Sequence, residues 1–387
     1  MGPVELRGHV QRYSWGKQGA ASRISGFLER FESCEPLAEY WLGTHPKGPS
    51  DVLLPSGEIA PLGSFLDGST ELSFMLKVLS INPEFGLSIQ SHPDSLWAKT
   101  LHQRDPSNYP DASHKPEIGV ALTPVTLLYG FRPMSQFVEI VRQLPAFERV
   151  WGGELIARLQ RVQSQTHQPE LLKDMFSRTL NFPGDEAASV VREICGLRVD
   201  GSGLEEELSV VNRLRQCYGD GDTGLLAIFM MNIVHLQAGE AVFIGPNCPH
   251  AYLDGDLVEC MASSDNVIRA GLTPKFKDID TLLRSVSYAN AGLPVLAKAS
   301  AVNSELAVFD LPIDDFTLAL TPQGTGSVFI PKVARDAIML CIGEQAKVSG
   351  AHRAVALKDG GAVFLPAQSG PYTIERRNAA IFLASRA

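Results

Sequence analysis

The stretch LSIQSHP (87–93) opens like a strand, then presents an amide and an imidazole, Gln90 and His92, before Pro93 stops it. Side chains two apart on a strand share a face, so Gln90 and His92 project together. SHKPEIG (113–119) repeats that spacing: Lys115 and Glu117 share one face, with His114 and Pro116 on the other. Pro116 removes a ladder donor, which suits a strand start or an edge. His250 stands in the turn-rich GPNCPHAYL (245–253). Together Gln90, His92, Glu117 and His250 offer two nitrogens and two oxygens. That set suits zinc, iron or manganese better than calcium or magnesium, and an open position for water or substrate would make the site catalytic. Singly, each residue has a plainer explanation, because a lone histidine near a turn or a glutamate after a proline is ordinarily a solvated surface group. No HxH or HExxH pattern strengthens the set.

Cations gather in the same segments. Lys77 interrupts the apolar run FMLKVLSI (74–81), where a lysine is unusual unless paired. Lys115 shares the face of Glu117, and Arg269 follows His250 in SSDNVIRAGLTPKFKD (263–278). Each alone could be a surface charge. Beside a metal, several cations suit an anionic substrate such as a phosphate.

The elements that must position these residues fall into segments. Up to about residue 130, Gly, Pro, Asn and Asp punctuate short apolar runs, as strands and turns require. One helix is expected in PDSLWAKTLHQRD (93–105), with Pro93 at its first position and Leu96, Ala98 and Leu101 facing inward. In MSQFVEIVRQL the period changes: Phe137, Ile140, Val141 and Leu144 recur at helical spacing. Residues 131–228 therefore read as a helical insert, without ligand-type clusters. Strands return at IVHLQAGEAVFIGPNCPHAYL and continue to the end. GEAVFIGP (239–246) lines up with GGAVFLPA (360–367), and only the first copy leads to a histidine. Two related β-units, one with a potential ligand, are expected.

The chain has 387 residues, 44% hydrophobic, which points to two or three domains. Its net charge is −9 and no basic block appears, so nucleic acid is not an expected partner. No apolar run reaches the roughly 18 residues that would span a bilayer. The N-terminus lacks the apolar core of a signal peptide. Six scattered cysteines (Cys34, Cys195, Cys217, Cys248, Cys260, Cys341), with no CxxC pair, fit reduced thiols in a soluble cytoplasmic protein. No GxGxxG after a strand, GxxxxGK[ST] or GxSxG signals a nucleotide site or a nucleophile elbow.

QRYSWG (11–16), AEYWLGTHPKGPS (38–50), KVLS (77–80), LSIQSHPD (87–94), NYPDASHKPE (108–117), GFRP (130–133) and PHAYLDGDLVECMASSDNVIRAGLTPKFKD (249–278) keep the order of a known pattern. The chain resembles the type I mannose-6-phosphate isomerase (phosphomannose isomerase) family of the cupin superfamily. The resemblance covers the catalytic half. The helical insert and the C-terminal unit share only the layout.

The resemblance implies a mainly β fold with a helical insert: two cupin-type jelly-roll β-barrels plus an α-helical domain. The expected division is a catalytic barrel from 1–130 and 229–295, a helical insert over 131–228, and a C-terminal jelly roll without metal over 296–387. It implies one Zn2+, or another divalent transition metal, on Gln90, His92, Glu117 and His250. Substrate contacts fall on Ser88, Lys77, Lys115 and Arg269, the last also the family's active-site arginine. Asp265 and His114 match positions that help open the sugar ring, and Lys115 is a candidate proton-transfer base. Asp254 stands where a serine is usual, and its charge bears on substrate preference. Ser264 stands where a cysteine is frequent. The implied reaction interconverts mannose 6-phosphate and fructose 6-phosphate through an enediol, in a monomeric enzyme. An isomerase of a free sugar and a sugar-binding cupin without activity are the alternatives. The cation cluster disfavours the first, and retention of the whole ligand and cation set disfavours the second.

Overall fold

The computed structural model describes residues 2–66, 69–162, 168–197, 201, 203–288, 296–302 and 305–387. The chain is strand-rich, with two ten-stranded sheets and a helical region. The end of the expected second catalytic segment, 289–295, lies outside the described residues. No described helix is long and apolar enough to cross a membrane.

The first sheet carries three of the four expected metal ligands, Gln90, Glu117 and His250, and His92 directly follows its strand Ile89–Ser91. It runs in the order Met231–Leu236, Val125–Phe131, His250–Ala262, Phe74–Ile81, Glu39–Leu42, His9–Gln11, with Ile89–Ser91, Glu117–Ala121, Ala241–Ile244 and Ile268–Gly271 joined off this path. The long strand His250–Ala262 organises it. Its first residues pair with Val125–Phe131 and, at His250, with Gln90; from Gly255 onward it pairs with Phe74–Ile81. The exchange of partners follows a register shift between Tyr252 and Asp254. Gly255 has φ 103°, and a Cβ there would lie 2.6 Å from the Pro124 carbonyl oxygen. Only glycine fits this bend.

Alternation along these strands divides chemistry from core. Leu76, Val78, Ile118, Val120, Val258 and Cys260 point to one face and pack against Ile338, Leu340, Phe364 and Phe382 of the second sheet. Lys77, Glu117 and Glu259 point to the other face and line a cavity.

The second sheet is ordered Ala299–Ala301, Ala307–Phe309, Thr317–Ile330, Tyr372–Ser385, Ala337–Ser349, Ala362–Leu365, Val4–Arg7, Asp51–Leu53, Ile59–Pro61, with Ala354–Lys358 paired to Ala337–Ser349. Three strands expected in the catalytic unit are therefore hydrogen-bonded into this sheet. Ala362–Leu365 is buried along its whole length. Val4–Arg7 satisfies its outer backbone groups, pairing Val4 with Phe364. The two halves of the weak repeat both form short strands, Ala241–Ile244 and Ala362–Leu365, one in each sheet.

The helical insert forms as its period predicts. Met134–Gln143, Phe147–Gln160, Pro169–Leu180, Gly184–Gly196, Glu205–Tyr218 and Gly224–Ala227 share one core with Leu128 and Phe131 of the first sheet. Phe137, Ile140 and Leu144 are fully buried there, with Val141 at the margin. The earlier helix spans Ser95–Arg104, shorter than expected at both ends. Asp94, not Pro93, sets its start, accepting the Leu96 and Trp97 amides. Ala98 and Leu101 face inward, whereas Leu96 is 76% exposed. Two residues before Ala98 is roughly 200° around the helix, so Leu96 could not share that face.

Candidate metal centre and active site

Strand Ile89–Ser91 lies between two partners: Gln90 stands opposite His250 on one side and Arg269 on the other. His92 follows directly, and Glu117 begins the strand Glu117–Ala121. Ligand atoms of His92, Glu117 and His250 all lie within 4.8 Å of one another. His92 Nε2 is 3.2 Å from Glu117 Oε1, and His250 Nε2 is 3.7 Å from Glu117 Oε2. All three side chains are buried. Ser88 Oγ donates to Gln90 Oε1 at 3.1 Å, and the Gln90 amide nitrogen is 3.5 Å from His250 Nε2.

Backbone carbonyls orient both rings. Nδ1 of His92 is 2.8 Å from the Asn266 oxygen, and Nδ1 of His250 is 2.9 Å from the Cys248 oxygen. A carbonyl can only accept, so each Nδ1 carries the proton and each Nε2 lone pair faces the cluster. Burial lowers both imidazoles, His250 to about 4, with His92 adding a further push on His250. Burial raises Glu117, but His92 and Lys115 overcome it and hold the carboxyl well below its usual range. Neutral imidazoles around an ionised carboxylate are the state that divalent-metal binding needs. The fit is borne by one atom in particular: His92 Nε2 is buried with no hydrogen-bond partner among the described residues, since with its proton on Nδ1 it cannot donate to the Glu117 oxygen 3.2 Å away. A bound transition metal would satisfy it.

Beside this group opens a cavity of about 890 Å³, within the range of small-molecule sites. Ser88, Gln90, Lys77, Lys115, Glu117, Asp265 and Arg269 all line it. Their electrostatic situations differ. Lys115 Nζ is 3.0 Å from Glu117 Oε1. Lys77 is held between Glu39 and Glu259, 3.5 Å from each, and sits 5.0 Å over the Trp41 ring. Burial opposes its charge, but the two carboxylates raise it above the ordinary lysine value. Asp265 is held by His45 at 3.3 Å and Lys47 at 2.7 Å. Burial pushes its carboxyl up, and these two partners bring it far below the usual range. Arg269 has no carboxylate within ion-pair distance among the described residues, and burial lowers it.

Two expected residues lie elsewhere. His114 turns from the cavity, its Nε2 2.7 Å from Asp315 Oδ1, consistent with its place on the face opposite Lys115. Asp254 is likewise absent from the lining: it accepts the Thr126 amide at 3.0 Å and stands 3.3 Å from Arg213 of the helical region. Ser264 is buried and donates to Asp111.

Sequence reasoning passed over Glu39, Tyr13, Trp41, Glu259 and Lys275, all of which line the cavity. Glu259 carried the signal that had marked Lys77: a charge inside an apolar run, LVECMA (257–262). Lys275 Nζ lies 5.0 Å over the Tyr13 ring, and burial followed by Arg269 lowers its pKa.

The family model of the phosphomannose isomerase type I catalytic domain matches residues 4–134. Mannose-6-phosphate isomerase of Bos taurus is 35% identical over 392 residues, covering 92% of each chain. That of Homo sapiens is 36% identical with the same coverage. The crystal structure of a mutant phosphomannose isomerase from Salmonella typhimurium superposes with TM-score 0.84 at 27% identity, covering all of both chains. A zinc-bound mannose 6-phosphate isomerase structure gives 0.83, again at 27% identity and full coverage. With a third of its residues shared along nine-tenths of its length, the chain belongs to the type I phosphomannose isomerase family.

Proposed function

We propose that this protein is a zinc-dependent mannose-6-phosphate isomerase, interconverting mannose 6-phosphate and fructose 6-phosphate through an enediol. The observation that carries the reading is the buried His92–Glu117–His250 group beside a cavity whose arginine, Arg269, has no carboxylate within ion-pair distance among the described residues. The zinc-bound neighbour supports the choice of metal. The two sheets are read as two cupin-type jelly rolls. The catalytic one draws on 1–130 and 229–295, with 131–228 as its helical flank. The C-terminal one, 296–387, borrows the strands Val4–Arg7, Asp51–Leu53 and Ile59–Pro61.

Gln90, His92, Glu117 and His250 would hold the ion. Zinc, when bound, supplies Lewis acidity toward the sugar's carbonyl and hydroxyl oxygens. Phosphate recognition falls on Ser88, Arg269 and Lys275, which line the cavity; among the described residues the two cations have no carboxylate within ion-pair distance. Lys77 adds positive potential, partly cancelled by its own carboxylates.

Ring opening moves the anomeric hydroxyl proton to the ring oxygen as the bond between carbon 1 and that oxygen breaks. Asp265, ionised at the cavity wall beside His45 and Lys47, takes the proton as base and delivers it to the ring oxygen as acid. His114 is given no direct part because it faces Asp315. In the open-chain sugar, Lys115 as base takes the proton from carbon 2; the C–H electron pair forms the double bond between carbons 1 and 2, and the carbonyl pair moves onto the carbon 1 oxygen. The proton of the carbon 2 hydroxyl passes to the carbon 1 oxygen, and Lys115 returns its proton to carbon 1 as the ketone forms at carbon 2. Arg269 stabilises oxyanion charge in between, a contribution of roughly 3–4 kcal/mol at comparable sites.

Metal analysis of the purified protein, with a coupled assay for fructose 6-phosphate, tests this directly. About one zinc per chain, turnover of mannose 6-phosphate and none of mannose are expected. Protein with neither metal nor turnover would overturn the proposal, and turnover of free mannose would move it to the free-sugar reading. Lys115→Met should abolish turnover and keep its metal; loss of metal would make Lys115 a structural partner of Glu117 instead.

A further inference from the structure

We propose that Asp315, in the C-terminal unit, is a positioning residue for the isomerase site, holding His114 and thereby the segment that aims Lys115. The inference rests on the role given to Lys115 above. It also assigns a task to a unit that contributes no candidate ligand.

Lys115 does not lie on a strand. Residues 113–116 are irregular, and the ladder begins only at Glu117. Pro116 has no N–H to donate, although its carbonyl accepts the Ala262 amide at 3.2 Å at the end of the stretch. Its position must come from what grips it on either side.

On one flank the grip is the segment that orients His92. Asn266 Nδ2 donates to the Asp111 and Ser113 carbonyls at 2.8 and 2.9 Å. The Asp265 amide donates to the Asp111 carboxylate at 2.9 Å. On the other flank the grip is Asp315, whose Oδ1 lies 2.7 Å from His114 Nε2 across 201 residues of sequence. Asp315 is itself fixed. Ser73 Oγ donates to its carbonyl at 3.1 Å, and its neighbour Phe316 is 1% exposed in the core between the sheets. His114 and Asp315 keep only 27% and 23% of their side-chain surface, so water competes weakly for the bond. Asp315 thus acts at a distance: it touches His114, and the next residue along is the candidate base.

A displacement of about 1 Å in a reacting group can cost up to 100-fold in rate. Asp315→Ala should therefore lower kcat roughly 10–100-fold. Its KM for mannose 6-phosphate should stay within about 2-fold and its zinc content should not change, because the Arg269 and Lys275 cations and the metal ligands are untouched. Asp315→Asn keeps an acceptor oxygen and should restore kcat to within about 3-fold of wild type. The His114→Ala and Asp315→Ala double variant should be no slower than His114→Ala alone, since both break one connection. Should Asp315→Ala not fold, Asp315→Leu, of similar volume, takes its place in the same comparison.

Unchanged kcat in Asp315→Ala would overturn the inference. So would Asp315→Asn as slow as Asp315→Ala, or additive losses in the double variant, which would return His114 to an independent role. Wild-type protein that forms no fructose 6-phosphate would instead remove the isomerase reading itself, so the two failures are distinguishable.

Discussion

Lys77 and Glu259 stand directly opposite each other on neighbouring antiparallel strands, with Nζ 3.5 Å from Oε2. Glu39 takes the other side of the same ammonium at 3.5 Å, and its carboxylate also accepts the Trp41 indole N–H. Burial, then the charge of Glu117, lifts the Glu259 carboxyl to about 7 against the pull of Lys77. Lys77 is therefore first the counter-ion of two buried acids. Lys77→Met should destabilise the protein by about 3–5 kcal/mol, the cost of stranding buried charge. Urea unfolding measures this. A loss below about 1 kcal/mol, the size expected of a surface pair, would show that Lys77 serves substrate alone.

Arg269 and Lys275 differ from Lys77 in lacking a carboxylate within ion-pair distance among the described residues. Lys275→Ala should raise KM for mannose 6-phosphate about 10-fold or more, as expected for a lost bond to a charged group, with kcat little changed. Arg269→Ala should lower kcat itself if the guanidinium meets developing oxyanion charge. Steady-state kinetics separates the cases. A pure KM effect in Arg269→Ala would make that residue a phosphate holder only.

Gly119 lies opposite Glu259 in the ladder, and a Cβ there would come 2.4 Å from Tyr252 Oη and 2.9 Å from Leu257 Cδ1. Tyr252 is fully buried, lines the cavity and has no hydrogen-bond partner for its hydroxyl among the described residues. Gly119 shares the face of Glu117, two strand positions away, so a shift of the phenol is felt in the cavity lining. Gly119→Ala should cost about 1–3 kcal/mol by overpacking and lower kcat/KM as well. A thermal midpoint equal to wild type would mean that the core has room the distances deny.

The strand period made the site's faces legible. Gln90 with His92, and Lys115 with Glu117, are pairs two apart, although only Gln90 and Glu117 lie in strands, Ile89–Ser91 and Glu117–Ala121, with their partners just beyond the strand ends. A charge inside an apolar run exposed Lys77, and the same rule would have found Glu259. Other features depended on contacts between distant segments. Nothing near Val4 announces that it will pair with Phe364. Nothing near His114 announces Asp315. Asp254, a charge expected to bear on the substrate, is consumed by the Thr126 amide and Arg213. Leu96 departs from its expected place for a local reason: an apolar residue in the first turn reads as core by its type, but its angle from Ala98 places it in solvent. Periodicity reports which residues share a face, and only the packing decides what that face meets.

Asp265 yields a prediction in pH. Burial alone would raise its carboxyl, but the 3.3 Å contact with His45 and the 2.7 Å contact with Lys47 hold it far below the ordinary value. The Lys47 amide donates to His45 Nδ1, which leaves the ring proton on Nε2, toward Asp265. The folded state therefore prefers the ionised carboxylate more strongly than the unfolded chain does. Its contribution to stability is complete above the unfolded value of about 3.9 and disappears as pH falls through the lower folded value. The difference in unfolding free energy between wild type and Asp265→Asn, measured on metal-free protein, should be level from pH 8 to 5. It should shrink steadily below about pH 4 as the unfolded carboxylate becomes protonated first. A difference that grew on acidification would mean that the folded protein binds this proton more tightly than the unfolded one, which would remove Asp265 as the ionised base of ring opening.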